Sequence, residues 1–273
     1  MRMMGVPKTI DNDLVGTDHT PGFGSAAKYI ATTVKEIIRD CAVYTKKAVT
    51  IVEIMGRDAG WLTAASALPK LSSGEGPDLV YLPERTFDLQ RFFADVRKKL
   101  EEHPNVVVTV SEGIRFADGK YVGEGIGGTV DAFGHKQLSG AGKVLEMAVK
   151  EEIGCKVRSV ELNISQRCAS HISSRADITE SVSVGKNALK AAVRGQSGCM
   201  MCMVREEGRQ YSIKAKPKPI SEIANKVKNV PDNFINAEGN YVTDECLAYI
   251  LPLVKGEFKV KFRDGLPVHY VIK

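Results

Sequence analysis

The chain has 273 residues, 43% of them hydrophobic, enough for one large or two ordinary domains with a sizeable core. Its formal charge of +5 is spread along the chain, which suits an anionic substrate and carries no nucleic-acid signature. No apolar run approaches the ~18 residues of a membrane span, and the start lacks a signal peptide's basic, apolar and cleavage regions, so a cytoplasmic protein is expected.

Met1 to Val6 is apolar, and Met3, Met4 and Val6 read as the end of a buried strand that Pro7 must stop. Lys8-Thr9-Ile10-Asp11-Asn12-Asp13 follows, a loop with one ammonium, one hydroxyl and two carboxylates two residues apart. At that spacing Asp11 and Asp13 can aim at one small volume, one as a general base and the other facing a hydrated metal ion. Lys8 and Thr9 supply donors that suit phosphate oxygens. A solvated Asx-rich turn fits the same composition.

Thr17 to Ser25 is irregular, with Pro21, Gly22 and Gly24 as breakers and Ser25 as the expected N-cap. Ala26, Ala27, Ile30, Ala31, Val34, Ile37 and Ile38 then repeat at helical spacing. His19 is expected to hold the loop by hydrogen bonding, with a phosphate ligand as the alternative. Val49–Ile54 is a β-branched strand running into Met55-Gly56-Arg57 and a short helix from Ala59 to Leu68. That places Arg57 at a strand's carboxyl end near a helix N-terminus, where anions bind; a surface salt bridge is its alternative. Trp61 reads as core rather than a substrate platform.

Asp78–Leu82 is a further strand, and Phe87–Leu100 a helix with Phe92, Phe93, Val96 and Leu100 inward. Val106–Val110 has the continuous β-branched character of a strand buried on both faces and ends at Ser111-Glu112-Gly113. Gly125-Ile126-Gly127-Gly128 does not follow a strand in a βαβ unit, so it is no dinucleotide fingerprint. Gln137–Ile153 is helical by pattern, Lys156–Leu162 a strand leading to Asn163–Arg167, and Asp177–Val193 a helix. Cys199–Val204 and Tyr211–Lys214 read as strands, and Ile220–Val227 as a short helix. Cys199-x-x-Cys202 lacks the second ligand pair of a structural zinc site and reads as a strand with incidental thiols. Six cysteines are too sparse for a disulfide scaffold. Thr243–Val254 and Lys259–Lys273 form a tail without an assigned role.

Three separate strand ends thus present Asp11/Asp13, Arg57 and Glu112. Alternating strands and helices with ligands at such ends define an α/β, doubly wound architecture.

Pro-Lys-Thr-Ile-Asp-Asn-Asp closely resembles the active-site loop of the phosphofructokinase family. The resemblance continues through Met55-Gly56-Arg57-Asp58-Ala59-Gly60-Trp61, Ser111-Glu112-Gly113 and Arg158 to Arg167, covering most of residues 1–240 in the family's order. ATP-dependent members usually have a glycine where this chain has Lys8; a lysine there resembles the pyrophosphate-dependent branch. The resemblance implies two doubly wound Rossmann-like lobes with the active site between them. Residues 25–165 would form the sugar-phosphate lobe, 1–24 and 166–240 the rest of an incomplete donor lobe, and 241–273 a C-terminal extension.

The implied reaction is phosphoryl transfer from pyrophosphate to the 1-hydroxyl of fructose 6-phosphate, with Mg²⁺ as cofactor. Asp11 would take the hydroxyl proton and Asp13 organise Mg²⁺ through water. Thr9 would hold the transferring group, while Lys8 and Arg57 neutralise its charge. Ile10 would line the substrate site, Met55 and Gly56 shape it, Glu112 accept from sugar hydroxyls, and Arg158 and Arg167 grip the 6-phosphate. In the family one such cation comes from a neighbouring subunit; Arg158 is the candidate, which implies a homodimer or homotetramer. Two positions depart from the family: Ala48 stands where bacterial ATP-dependent members have arginine, and Ile164 where others have histidine or tyrosine. The family also has roughly a hundred residues before this loop, a full domain's worth, including glycine loops that cradle the donor. On that ground the chain is expected to be a fragment that binds sugar phosphate weakly and transfers little. The competing readings are an ATP-dependent 6-phosphofructokinase and a non-catalytic sugar-phosphate-binding or subunit module.

Overall fold

β-Branched runs with apolar residues on both faces need a cover on each side, and the larger sheet obtains one. The computed structural model describes residues 2–124, 140–208 and 210–269. In chain order, β1 (Met4–Gly5) leads through the Asp loop to α1 (Phe23–Cys41), followed by β2 (Ala48–Ile54), α2 (Trp61–Ala65) and α3 (Pro69–Ser73). Then come β3 (Leu79–Tyr81), α4 (Leu89–Glu102), β4 (Asn105–Ser111), α5 (Ala141–Glu152) and β5 (Lys156–Glu161). β2 to β5 make a four-stranded, all-parallel sheet in the order β3-β4-β2-β5. Alternate side chains point to opposite faces. Val52, Ile54, Val80 and Val107 pack with Phe23 and Ile30 of α1 and Leu62 of α2. Val49, Ile51, Leu79, Val106 and Val108 pack with Phe92 and Val96 of α4 and Leu145 of α5. Helices on both faces of a parallel sheet make this unit doubly wound, as the sequence predicts.

The chain continues through α6 (Ser165–Cys168) and α7 (Arg175–Val193) to β6 (Cys199–Arg205) and β7 (Ile213–Pro219). The second sheet has the order β1-β6-β7, with β1 parallel and β7 antiparallel to β6. α7 covers one face, placing Val184, Ala188 and Ala191 on Met201 and Met203. The other face carries Leu14, Val15 and Ile223 from loops and turns. Among the described residues, this smaller sheet is therefore wound on one side only. The cysteine pair falls on β6 as the strand reading expects, with Cys202 fully buried.

Several local expectations change. β1 is only two residues long, and Met3 and Val6 are exposed at 66% and 48% rather than buried. Among the described residues β1 pairs on one side only, so the side chains flanking it lack a cover. Ser25 does not cap α1. The helix enters earlier, from Gly22 at φ +99°, a left-handed conformation glycine tolerates. The acceptor comes instead from α7: Gly22 N and Ser25 N donate to the Asp177 carboxylate at 2.8 and 3.1 Å. The helix predicted over 59–68 divides at Ser66–Leu68, and Pro69 opens α3. Ile220–Val227 forms only a 3₁₀ turn over Ile220–Glu222, because Asn225 breaks the run at φ +59° and only Ile223 of its apolar residues is buried. β7 is longer than predicted and includes Pro217 and Pro219, which an edge strand accommodates. Gly125–Gly128 and the first residues of the helix predicted from Gln137 lie outside the described residues.

Segment 241–254, expected as part of an extension without a role, enters the main core. α8 (Asp244–Ile250) starts at Thr243, whose side chain accepts from Cys246 N. Its Cys246, Leu247 and Ile250 are fully buried beside Trp61, and Leu253 of the next turn joins them. That turn lies so close to α1 that a Cβ on Gly24 would sit 2.5 Å from Leu253 O. A short hairpin follows, β8 (Phe262–Arg263) with β9 (Leu266–Pro267). No helix among the described residues is long and apolar enough to cross a membrane. Leu247→Ala should lower the unfolding free energy by ~2–5 kcal/mol, the usual cost of a leucine-sized cavity. Urea denaturation reads this directly, and a loss below ~0.5 kcal/mol would place α8 outside the cooperative core.

Candidate active site

Parallel strands β2 and β4 pair with Ile54 level with Ser111, so both chains leave the sheet at one height. Two tight turns follow and interlock. Gly56 has φ +142°, and its N–H donates to Glu112 Oε1 at 3.3 Å. Ser111 Oγ donates to Gly56 O. A Cβ on Gly113 would lie 1.9 Å from Arg57 O, so only glycine fits there. The interlock fixes Arg57 and Glu112 as neighbours. Arg57 Nε is buried without a hydrogen-bond partner, a donor suited to an anion.

The β5–α6 junction adds a third element. Buried Gln166 donates from Nε2 to Asn163 O at 2.9 Å, and its Oε1 accepts from Met55 N at 3.3 Å. Arg167 follows it on α6 and reaches the Asp loop. There Thr9 Oγ1 donates to Asp11 Oδ2 and accepts from Asp11 N, both at 3.1 Å. Thr20 Oγ1 donates to Thr9 O at 2.6 Å, tying the loop to the start of α1. Lys8, Thr9, Ile10, Asp11, Pro21, Met55 and Arg167 together line a cavity of about 240 Å³.

The electrostatics follow from burial. Asp11 is pushed above the usual carboxylate range by desolvation, against the Thr9 hydroxyl and the charges of Lys8, Arg57 and Arg167. Asp13 is also pushed up, first by burial and then by the like charge of Asp11. Glu112 is raised furthest, to about 7, by burial; the Gly56 N–H opposes this, while Glu53 and Asp11 add repulsion.

Most of the sequence-predicted residues therefore meet: Lys8, Thr9, Ile10, Asp11, Met55, Gly56, Arg57, Glu112 and Arg167, with Asp13 coupled to Asp11. Arg158 is the exception. It leaves β5 toward Tyr44, donating to the phenol oxygen at 3.3 Å and lying over the ring, with Asp40 at 3.8 Å. His19 is buried between two carboxylates, Nδ1 2.8 Å from Asp18 and Nε2 2.7 Å from Glu180, and holds the loop as expected. Trp61 is core, packed on Tyr249 at 5.1 Å between ring centroids.

Sequence reasoning missed Gln166, Lys228 and Tyr249. Gln166 lies inside the flagged Asn163–Arg167 stretch, but nothing in the pattern marks it as the residue that holds Met55. Lys228 sits in a polar stretch without a motif and comes against the Asp loop through tertiary folding alone. Burial pushes its ammonium down to about 8, with Asp18 and Asp13 opposing the shift.

Interlocked strand-end turns, a paired-carboxylate loop and nearby cations thus form one polar site at the strand ends of an α/β fold. The family model described as phosphofructokinase matches residues 1–192. The pyrophosphate–fructose 6-phosphate 1-phosphotransferase of Xanthomonas campestris pv. campestris is 41% identical across 100% of this chain and 66% of its own length. That of Halomonas elongata is 39% identical across 96% of this chain and 62% of its own. The crystal structure of a pyrophosphate-dependent phosphofructokinase from Nitrosospira multiformis superposes with a TM-score of 0.87 at 36% identity, over 98% of this chain and 64% of that one. The chain belongs to the phosphofructokinase family, and it spans a little under two thirds of the length of these relatives.

The raised pKa of Glu112 has a stability consequence. Between the ordinary 4.5 and about 7 the folded state holds a proton that the unfolded state has released. Stability contributed by neutral Glu112 is therefore lost as pH rises through that window. Glu112→Gln should gain on the parent by ~1–3 kcal/mol between pH 4.5 and 8. Denaturant unfolding at both pH values checks it; a difference independent of pH would mean the carboxyl is not desolvated.

Proposed function

We propose that this chain provides the acceptor site and the catalytic loop for phosphoryl transfer from pyrophosphate to the 1-hydroxyl of fructose 6-phosphate. The observation that carries this reading is Lys8, which lines the same cavity as Asp11 and Arg167. A lysine there fills the room a bulkier donor would need and adds charge suited to a small anion.

Asp11 removes the proton of the attacking hydroxyl. Its elevated pKa makes it a stronger base than a surface carboxylate. Thr9 donates to the transferring group, and Lys8 and Arg57 compensate the charge it develops. Glu112 accepts from sugar hydroxyls, Met55 and Gly56 shape the sugar site, and Ile10 lines it. Arg167 faces the acceptor's phosphate. Residues 25–165 act as the acceptor lobe, with 1–24 and 166–240 on the donor side. Arg158, turned away from this cavity, serves the site of a neighbouring subunit in a homodimer or homotetramer.

Mg²⁺ fits this donor set in one way. Among the described residues no group of three His, Cys, Asp or Glu side chains could cage a metal. Asp13, repelled by Asp11 and Asp58, offers a hard oxygen ligand whose charge a cation would relieve. One carboxylate, several waters and substrate phosphates is the usual Mg²⁺ arrangement. When bound, the ion would neutralise charge on the donor phosphates that otherwise repels the incoming oxygen.

Two measurements on the protein at its natural length test this reading. Asp11→Asn should lower kcat by ~10²–10⁴-fold with fructose 6-phosphate binding nearly intact, and an unchanged kcat sinks the role of Asp11. Turnover should be faster with pyrophosphate than with ATP, and Lys8→Gly should depress pyrophosphate use selectively; preference for ATP in the parent enzyme reverses the donor assignment.

A further inference from the structure

The middle residue of Asp11-Asn12-Asp13 faces the other way. Asn12 adopts φ +57°, has no exposed surface, and does not line the cavity that Asp11 lines. Both ends of its amide are held. Nδ2 donates to Tyr249 OH at 3.2 Å, and Oδ1 accepts from Lys228 Nζ at 3.0 Å. Lys228 Nζ also donates to the carbonyls of Thr17 and Asp18 at 3.3 and 2.7 Å, and Tyr249 OH donates to Asp18 O at 2.5 Å. The Lys228 backbone N–H donates to Asp13 O at 2.7 Å, while Trp61 Nε1 donates to Lys228 O at 2.9 Å.

We propose that Asn12, Lys228 and Tyr249 form a rear clamp that aims Asp11 at the substrate cavity, which makes Lys228 and Tyr249 positioning residues. The proposal rests on the phosphoryl-transfer reading for its kinetic consequence only. Burying an ammonium is costly, and such a group contributes little net stability compared with a well-packed apolar side chain. Among the described residues no ion pair includes Lys228, whose ammonium lies 5.1 Å from the centre of the Trp61 ring. Its hydrogen bonds run to neutral oxygens of the 12–18 segment. What this charge provides is the shape of that segment. The left-handed turn at Asn12 is uncommon for a non-glycine residue and is held by these partners. With Asn12 locked inward, the neighbouring Asp11 is set toward the cavity side.

Tyr249→Phe is the informative variant because it keeps the ring packed on Trp61 and Phe234 and removes only the hydroxyl. Lys228→Met is its companion. In each, kcat should fall ~10–100-fold, the range that small misplacements of reacting groups produce. KM for fructose 6-phosphate should change less than about threefold, since the sugar-side turns are untouched. Amide hydrogen exchange at Thr9–Asp13 should accelerate, with β2 and β4 unaltered. In Tyr249→Phe, which is expected to fold normally, either an unchanged kcat or an unchanged loop exchange overturns the clamp. Asp11→Asn run alongside separates the two ideas. If it leaves turnover intact, the functional reading fails, while the exchange measurement still decides whether the clamp holds the loop.

Discussion

The space between two glycine turns is the constraint on which the strand-end site depends. Because β2 and β4 run parallel and in register to their ends, Gly56 and Gly113 are forced against each other. The 1.9 Å that a Gly113 Cβ would leave to Arg57 O is far below any tolerable contact. The same closeness gives Gly56 N–H its acceptor on Glu112 and leaves the Arg57 guanidinium beside a buried carboxyl. The functional side chains are thus placed by strand register, the most rigid element available, rather than by the loops that carry them.

The Asp loop is placed differently, through polar tertiary contacts. Asp177 on α7 accepts from Gly22 and Ser25 and fixes the entry of α1; Thr20 then holds Thr9, and Lys228 and Tyr249 hold Asn12. Asp177, Lys228 and Tyr249, all distant in the chain, thus converge on the segment from Thr9 to Ser25. Such a network is high-stakes, because each buried donor or acceptor left unpaired costs more than a typical hydrogen bond yields. This also explains why α8 belongs to the core: its Tyr249 links Trp61, Asn12 and the Asp18 carbonyl in one contact set.

What was legible in the sequence follows the range of the interactions involved. Val106–Val110 and Val49–Ile54 declared themselves because a parallel strand buried on both faces needs a local run of β-branched residues. Phe92, Phe93, Val96 and Leu100 did so through helical spacing. The Lys8–Asp13 loop and the Gly56 and Gly113 turns were legible through their resemblance to the motifs of the phosphofructokinase family, since composition alone also fits an Asx-rich turn at Asp11–Asp13. Ser25 misled because the helix takes its capping acceptor from Asp177, about 150 residues away. Ile220–Val227 misled because one left-handed asparagine outweighs a weak apolar period. Lys228 and Tyr249 gave no local signal, since their roles exist only after α8 and the 228 turn have packed.

The charge arrangement explains why a site this rich in carboxylates also carries cations. Asp11, Asp13 and Glu112 are all raised by burial, and the charge of Asp11 adds to it at Asp13 and Glu112. Left to themselves, buried like charges neutralise by taking up protons. Lys8, Arg57 and Arg167 oppose that at Asp11, together with the Thr9 hydroxyl. At Glu112 the Gly56 N–H opposes it and Arg57 is the one cation among the main influences, so its carboxyl is pushed to about 7. Asp11 and Glu112, both raised by burial, are thereby tuned differently: three cations and the Thr9 hydroxyl hold Asp11 down, while Glu112 has one cation and the Gly56 N–H. Polar contacts set the Asp loop and strand register sets Glu112; together they bring Glu112 within reach of the charge of Asp11, and the unequal share of cations separates their ionisation.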